Sequence, residues 1–364
     1  MNTRITLLAL ALIAQLPVHA ATFCVDDSAT LASALATASG NNQADDIRIK
    51  SGSYSAPLGG FRYEAAISDA NNSLQLSGGW SGAGCVARTL VAGASVLTGN
   101  DQRDVLHVLN LYDSAHTISI DHLTIAHGAN FSSEPGAAPA SLEFYQASTQ
   151  AVGRIEHCVF RDNTSSSTAA GPFVKSAGTL TFRNNLIAAN GTLNGSPAGS
   201  IVVTGAGQGY VQNNTVCGNS MIGVGFTSGW KIGLYDTAVV DLSNNIVWGN
   251  TGGQSVSGNT VDLYPSIVGA SAVLTMHHND VGHVPAAWLP PGHVGTILVD
   301  PQFVGAADRR LAAGSPLIDA GTGSVGAAGG LGSSDLDGAA RVNGAAVDLG
   351  AFENQLHLFA DGFD

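Results

Sequence analysis

Six stretches of the chain share one arrangement of apolar and polar positions. LSNNIVWGN runs from Leu242, VQNNTVCGN from Val211, FRNNLIAAN from Phe182, IEHCVFRDN from Ile155, IDHLTIAHG from Ile120, and a shortened copy, MHHNDVGH, from Met276. In register they show an apolar first position, Asn or His at the third, Asn at the fourth in four of six, an aliphatic residue or Phe at the sixth, and Asn at the ninth in four of six. A helix would repeat its apolar residues every 3.6 positions; each copy instead sets short period-2 pieces around Asn, the non-glycine residue that best tolerates left-handed backbone. The pattern predicts strand, tight turn, strand. Copies begin 35, 27, 29, 31 and 34 residues apart, within the range of solenoid repeats. Unequal spacing predicts loops of unequal length leaving a constant frame.

A further short strand precedes every copy after the first: SLEFY from Ser141, GPFVK from Gly171, SIVVT from Ser200, KIGLY from Lys231 and TVDLY from Thr260. Alternation assigns Leu142/Phe144, Ile201/Val203, Ile232/Leu234 and Val261/Leu263 to the interior. It sends Glu143 and Tyr145, Val174 and Ser176, Val202 and Thr204, Gly233 and Tyr235, and Asp262 and Tyr264 outward. Lys175 then falls on an inward position, so a bulge that turns it toward a loop is expected there.

These copies resemble the right-handed parallel β-helix superfamily, the pectate-lyase-like fold, in which short strands make each coil and Asn side chains stack at the turns. The resemblance implies one column of Asn185, Asn214, Asn245 and Asn279 and another of Asn163, Asn190, Asn219 and Asn250. It also implies an internal apolar column of Ile125, Phe160, Ile187, Val216, Val247 and Val281. The phrases LSGGWSGAGCVAR from Leu76, SVLTG from Ser95, LVDPQFV from Leu298, LAAGSPLIDAG from Leu311, DLDGAARV from Asp335 and VDLGAFE from Val347 resemble the choice-of-anchor Q group of bacterial exported β-helix proteins. That group is similar in style to the polymorphic outer-membrane proteins. The likeness spans nearly the whole mature chain; it implies an architecture and no agreed reaction.

Length does not count domains in a fold that grows along one axis. The expected class is all-β: a single right-handed parallel β-helix with a short N-terminal capping helix and a loop-rich C-terminal end. The expected divisions are a signal peptide over 1–20, an N-terminal cap over 21–46, the β-helix over 47–303, a C-terminal coil and cap over 304–355, and a tail or sorting tag over 356–364. The signal peptide rests on Arg4, the apolar run from Leu7, and the small-residue pattern Val18-His19-Ala20. Secretion, cell-surface display or a periplasmic location follows, and no transmembrane segment is expected. DSATLASALATAS from Asp27 places Leu31, Ala34, Leu35 and Ala38 on one helical face behind an N-cap.

Export makes the four cysteines candidates for disulfides. Cys24 and Cys85 flank the cap helix and the first coil, and a bond between them is expected; Cys158 and Cys217, separated by a whole coil, are expected as buried thiols. A net charge of −13, with lysines only at 50, 175 and 231, argues against a nucleic-acid partner.

Candidate chemistry is thin. A lyase of this fold needs carboxylates that hold calcium and an Arg or Lys base. Among the outward positions only Glu143 and Asp262 are acidic, about 19 Å apart at strand spacing. Arg154, Arg161 and Arg183 lie beside the asparagine copies. Asp236 with Asp241, and Glu156 with Asp162, are the pairs that a glycosidase could use. His277, His278, His283 and His293 lack the spacing of a metal site, and Asp335-Leu-Asp337-Gly lacks the later ligands of a calcium loop, so a turn is expected. No metal and no cofactor is expected, apart from calcium if a lyase reaction holds.

What remains is an outward strip, Glu143, Tyr145, Lys231, Tyr235, Asp262 and Tyr264, whose rings could stack on sugars. The expected function is therefore an exported, non-catalytic β-helix that binds or adheres to extracellular polysaccharide. The alternatives are a polysaccharide lyase or glycoside hydrolase of the same fold, and a structural stalk. Oligomeric state is not legible.

Overall fold

The structure, a computed structural model, describes residues 21–65, 72–132, 138–166, 168–193, 197–222, 229–252, 261–326 and 330–355. The expected signal peptide (1–20) and tail (356–364) lie outside the described residues. Within them the chain winds as a parallel β-helix, and a full coil supplies four strands. In the coil of the IEHC copy these are Leu142–Gln146, Val152–Glu156, Val159–Arg161 and Thr164–Ser165. Like strands of successive coils pair in parallel and build four sheets, numbered 1 to 4 in that order, of seven, ten, eight and five strands. The all-β solenoid read from the repeats is the observed architecture, with one α-helix near the N-terminus.

Left-handed residues explain the repeat. The third position of each copy turns sheet 2 into sheet 3, and His122, His157, Asn184, Asn213, Asn244 and His278 all have φ between 51° and 58°. The eighth position turns sheet 3 into sheet 4, and there His127, Asp162, Ala189, Gly218 and Gly249 have φ between 50° and 65°. An αL residue reverses the chain within one peptide unit and leaves the next side chain pointing inward. Asn occupies that next position because the turn's N–H groups need acceptors in an interior without water.

Asn214 shows the solution. Its Oδ1 accepts the backbone N–H of Asn185 at 3.0 Å and Asn185 Nδ2 at 3.0 Å, while its own Nδ2 donates to Phe182 O and to Asn245 Oδ1, both at 2.9 Å. Asn245 passes the pattern to Asn279. The second ladder runs from Asn163 through Asn190 and Asn219 to Asn250. Both expected columns are present. So is the apolar one: Ile125, Phe160, Ile187, Val216, Val247 and Val281 are in register and fully buried. Each such side chain contributes about 1.5–3 kcal/mol by leaving water.

At the N-terminal end, Asp27 caps the helix Ser28–Ala38 by accepting the Thr30 N–H at 2.7 Å, and Leu31, Ala34, Leu35 and Ala38 close over the first coil as expected. The first strand, Ala21–Val25, pairs with Asp45–Lys50, so sheet 2 begins ahead of the helix. Cys24 and Cys85 are bonded, and Cys158 and Cys217 are buried thiols. Burial pushes the Cys217 thiol up to about 12, which keeps it protonated.

The C-terminal residues return along the outside. Thr322 O accepts from Asn244, Gly330 O from Arg183 and Ser334 O from Asn184; Asp348 O accepts from Asn213, and Ala351 N–H donates to Thr215 Oγ1. This segment covers the turn between sheets 2 and 3 and the outer side of sheet 3, where Leu336 and Phe352 pack against Val159 and Leu186. Asp335 forms the expected turn, accepting the N–H groups of Asp337 and Ala339.

Candidate functional site

Sheet 1 carries two outward columns. Register places Arg62, His107, Glu143, Phe173, Ser200, Lys231 and Tyr264 in the first. The second holds Glu64, Leu109, Tyr145, Lys175, Val202, Gly233 and Ser266. The assignment of the GPFVK strand needs correction. Phe173–Ser176 pairs with both neighbours without a bulge, Val174 and Ser176 point inward, and Lys175 faces out. Val174 takes the place of Phe144 and Ile201, so alternation there had been read one residue out of phase. A small Ser at the second inward site is what lets Lys175 be external.

Asp262 also needs correction. It does not belong to the outer face: its side chain is buried, Oδ1 accepts both the N–H and the Nδ2 of Asn250 at 2.8 Å, and Oδ2 accepts the His283 N–H at 2.9 Å. It ends the second ladder by taking the donors that the next Asn would have taken. Burial raises its pKa, against the pull of those N–H groups.

The other expected residues do reach the face, at two ends. Glu143 and Tyr145 stand in one coil, whereas Lys231 and Tyr264 are neighbours three and four strands on, about 14 and 19 Å away. The Tyr235 ring folds over Gly233, with its Cε2 3.4 Å from where a Cβ would sit. Tyr264 packs edge-on against Trp288 with ring centroids 5.1 Å apart. Lys175 Nζ lies 4.9 Å from the centre of the Tyr145 ring, a cation–π contact.

Charge pairing on this face is uneven. His107, almost fully buried, donates from Nδ1 to Glu143 at 2.8 Å and from Nε2 to Asp104. Burial alone would lower its pKa; the two carboxylates outweigh that and hold it at about 9, while His107 draws Asp104 below the ordinary carboxylate range. Glu64 is paired with Arg62 at 2.9 Å. Every carboxylate named here is thus committed to a cation, whereas Lys175 and Lys231 have no carboxylate partner among the described residues.

Each acid of the alternative pairs has a partner of its own. Glu156 is bound to Arg183 at 2.7 Å and Asp162 to Arg161 at 2.5 Å; Asp241 pairs with His277 at 2.9 Å, and Asp236 accepts the Gly205 N–H at 3.0 Å. Among the described residues no three His, Cys, Asp or Glu side chains are grouped to hold a metal ion. His107 escaped the sequence reading although its strand, Leu106–Asn110, alternates in the same way and precedes the first copy. Trp288 escaped it because the contact with Tyr264 is made by a non-repeating loop.

No family model matches the chain, and no curated protein matches it. Among solved structures the chain is similar to the crystal structure of pectate lyase Pel9A, 14% identical, with 87% of this chain and 90% of that chain covered and a TM-score of 0.30. At that level of likeness the fold rests on the strand register itself. Among the described residues no helix is long and apolar enough to cross a membrane.

Proposed function

We propose that the protein is an exported β-helix that binds extracellular polysaccharide along the outer face of sheet 1 and does not cleave it. The observation that carries this reading is the uneven charge pairing of that face: among the described residues Lys175 and Lys231 have no carboxylate partner and stand beside Tyr145, Tyr235 and Tyr264, while Glu64 is paired with Arg62, and Asp104 and Glu143 share His107. Rings that stack on sugar faces and cations without counter-charges fit a glycan bearing carboxylate or sulfate groups. His107, held positive between two carboxylates, is a poor base near neutral pH, which supports binding without elimination. The Cys24–Cys85 disulfide supports an oxidising, extracytoplasmic location.

Three stacking contacts at about 0.5–1.5 kcal/mol each, beyond area burial, sustain micromolar to millimolar affinity after association costs. The test is retention of the mature protein on an immobilised glycan panel, with unsaturated-product absorbance read in parallel. The Tyr235→Ala/Tyr264→Ala and Lys175→Ala/Lys231→Ala variants should each lose retention, the second also losing its salt dependence. Undiminished binding by both variants overturns the reading. Release of unsaturated sugars with calcium present would replace it with the lyase alternative, and failure to bind any glycan leaves the stalk.

A further inference from the structure

The outer face of sheet 1 changes character along its length. Its first three strands set Arg62, His107 and Glu143 in one column, with Glu64 in the other; the later strands bring Lys175 and Lys231, and there the two columns hold no acid. His107 organises the first part. Gly60 has φ 75°, and a Cβ on it would stand 2.9 Å from His107 Cδ2 and 3.2 Å from Val105 O, so glycine is what lets the chain close against the imidazole. The charged groups facing that ring are Asp104 from just before its own strand, Glu143 from the next strand, and Arg62 with Glu64 from the preceding one.

Both imidazole nitrogens meet carboxylates, Nε2 on Asp104 and Nδ1 on Glu143 Oε2 at 2.8 Å, so both carry protons and neither is left for a ligand. One atom of the group remains unspent. The Glu143 side chain is 29% exposed, and its Oε1 makes no hydrogen bond among the described residues. Because the charge of Glu143 is answered by the buried imidazolium, its outer oxygen is an acceptor that needs no external cation. A sugar hydroxyl can donate to it; a sugar carboxylate set there would leave two acceptors face to face without a donor. Lys175 lies one strand further along the axis and Lys231 three, about 4.8 and 14 Å away, and they offer the opposite chemistry.

Resting on the glycan-binding reading above, we propose that Glu143 Oε1 accepts hydroxyls of a neutral sugar, that Asp104 and His107 are positioning residues that aim it, and that the glycan this face takes is one in which neutral and acidic sugars alternate. A polymer of acidic sugars alone satisfies Lys175 and Lys231 but sets a carboxylate against Glu143. The division of the face into an acceptor end and a cation end also fixes the register of the bound chain.

Retention of the disulfide-intact protein on immobilised hyaluronan and unsulfated chondroitin, where a uronate alternates with a neutral sugar, is compared with retention on polygalacturonate, where every sugar is a uronate. The wild type should prefer the alternating polymers. Glu143→Gln should bind them about tenfold more weakly and hold polygalacturonate better, because its amide donates to a carboxylate. Asp104→Asn should shift the preference in the same direction with Glu143 intact, and the wild-type preference should fade as pH rises through about 9, where His107 gives up a proton; loss of fold alone would weaken both polymer classes equally. If Asp104→Asn does not fold, Glu143→Gln and the wild-type pH profile decide. Equal retention of both classes, or a preference unchanged in Glu143→Gln, overturns the proposal while the face remains a glycan binder that depends on Lys175 and Lys231. Failure of the wild type to bind any of these polymers overturns it too, and failure on the wider glycan panel as well sinks the binding reading beneath it.

Discussion

Arg341 and Glu353 meet at 2.7 Å with neither side chain reaching solvent. Arg341 also donates to Asn184 Oδ1 and to the carbonyls of Asp348, Gly350 and Phe352, and Glu353 accepts the N–H groups of Asn343 and Asp348. The pair fastens the returning C-terminal segment to the turn of a coil more than 150 residues earlier. Burial pushes the Glu353 carboxyl up to about 7 and lowers Arg341, so the pair is costly to bury and costlier to break.

Arg341→Met should therefore destabilise the protein by about 3–5 kcal/mol, because it strands Glu353 and takes a donor from four acceptors, of which Asp348 O keeps Asn213. Urea denaturation measures the loss. A change under about 1 kcal/mol would show that the segment is held by Leu336 and Phe352 instead.

Ala189 stands at φ 56° in the turn where the next two coils have Gly218 and Gly249. A side chain in the left-handed region costs about 1–2 kcal/mol, of which glycine's greater freedom in the unfolded chain returns about half. Ala189→Gly is expected to stabilise by about 0.5–1 kcal/mol. The same substitution at Ala188, a strand residue, should destabilise, and equilibrium unfolding of both variants distinguishes position from composition.

His107 gives a pH dependence of known sign. Its folded pKa, about 9, lies above the ordinary imidazole value of about 6.5, so the folded state binds the extra proton between those limits. The stability it contributes is whole below pH 6.5 and is lost as pH rises toward 9. His107→Gln should flatten the fall of Tm over that window. An unchanged slope would assign the alkaline loss elsewhere.

Reduction of Cys24–Cys85 releases a 61-residue separation, worth about 4 kcal/mol in the chain-entropy account. Mass mapping without reductant should find the pair joined, and Cys24→Ser/Cys85→Ser should lower Tm with the coils downstream of Asn163 still protected from amide exchange.

Much of this fold was legible because its constraints are local and repeat. The αL residue recurs in each copy and the Asn after it in four of the six, so Asn185, Asn214 and Asn245 fall into one column on sequence alone. Lys175 was misplaced because a four-residue strand has two possible phases, and Ser176 is small enough to be read either way. Asp262 was misread for a different reason: its strand begins at Leu263, and the residue before it belongs to the end of the ladder. The partners of His107 and Arg341 come from positions that no period relates, such as Asp104 and Glu353. Sites built across the repeat are not written in the repeat.

A solenoid whose coils touch only their neighbours can fray from either end, one coil at a time. The returning segment changes that, since Ser334 is bonded to His157 and Asn184 while Thr322 and Gly350 hold Asn244, at sequence distances up to 177 residues. Four successive coils are thereby made to open together or not at all. Folding must wait for these distant contacts and is correspondingly slow, but once the last residues are seated the middle of the rod unravels as one cooperative block.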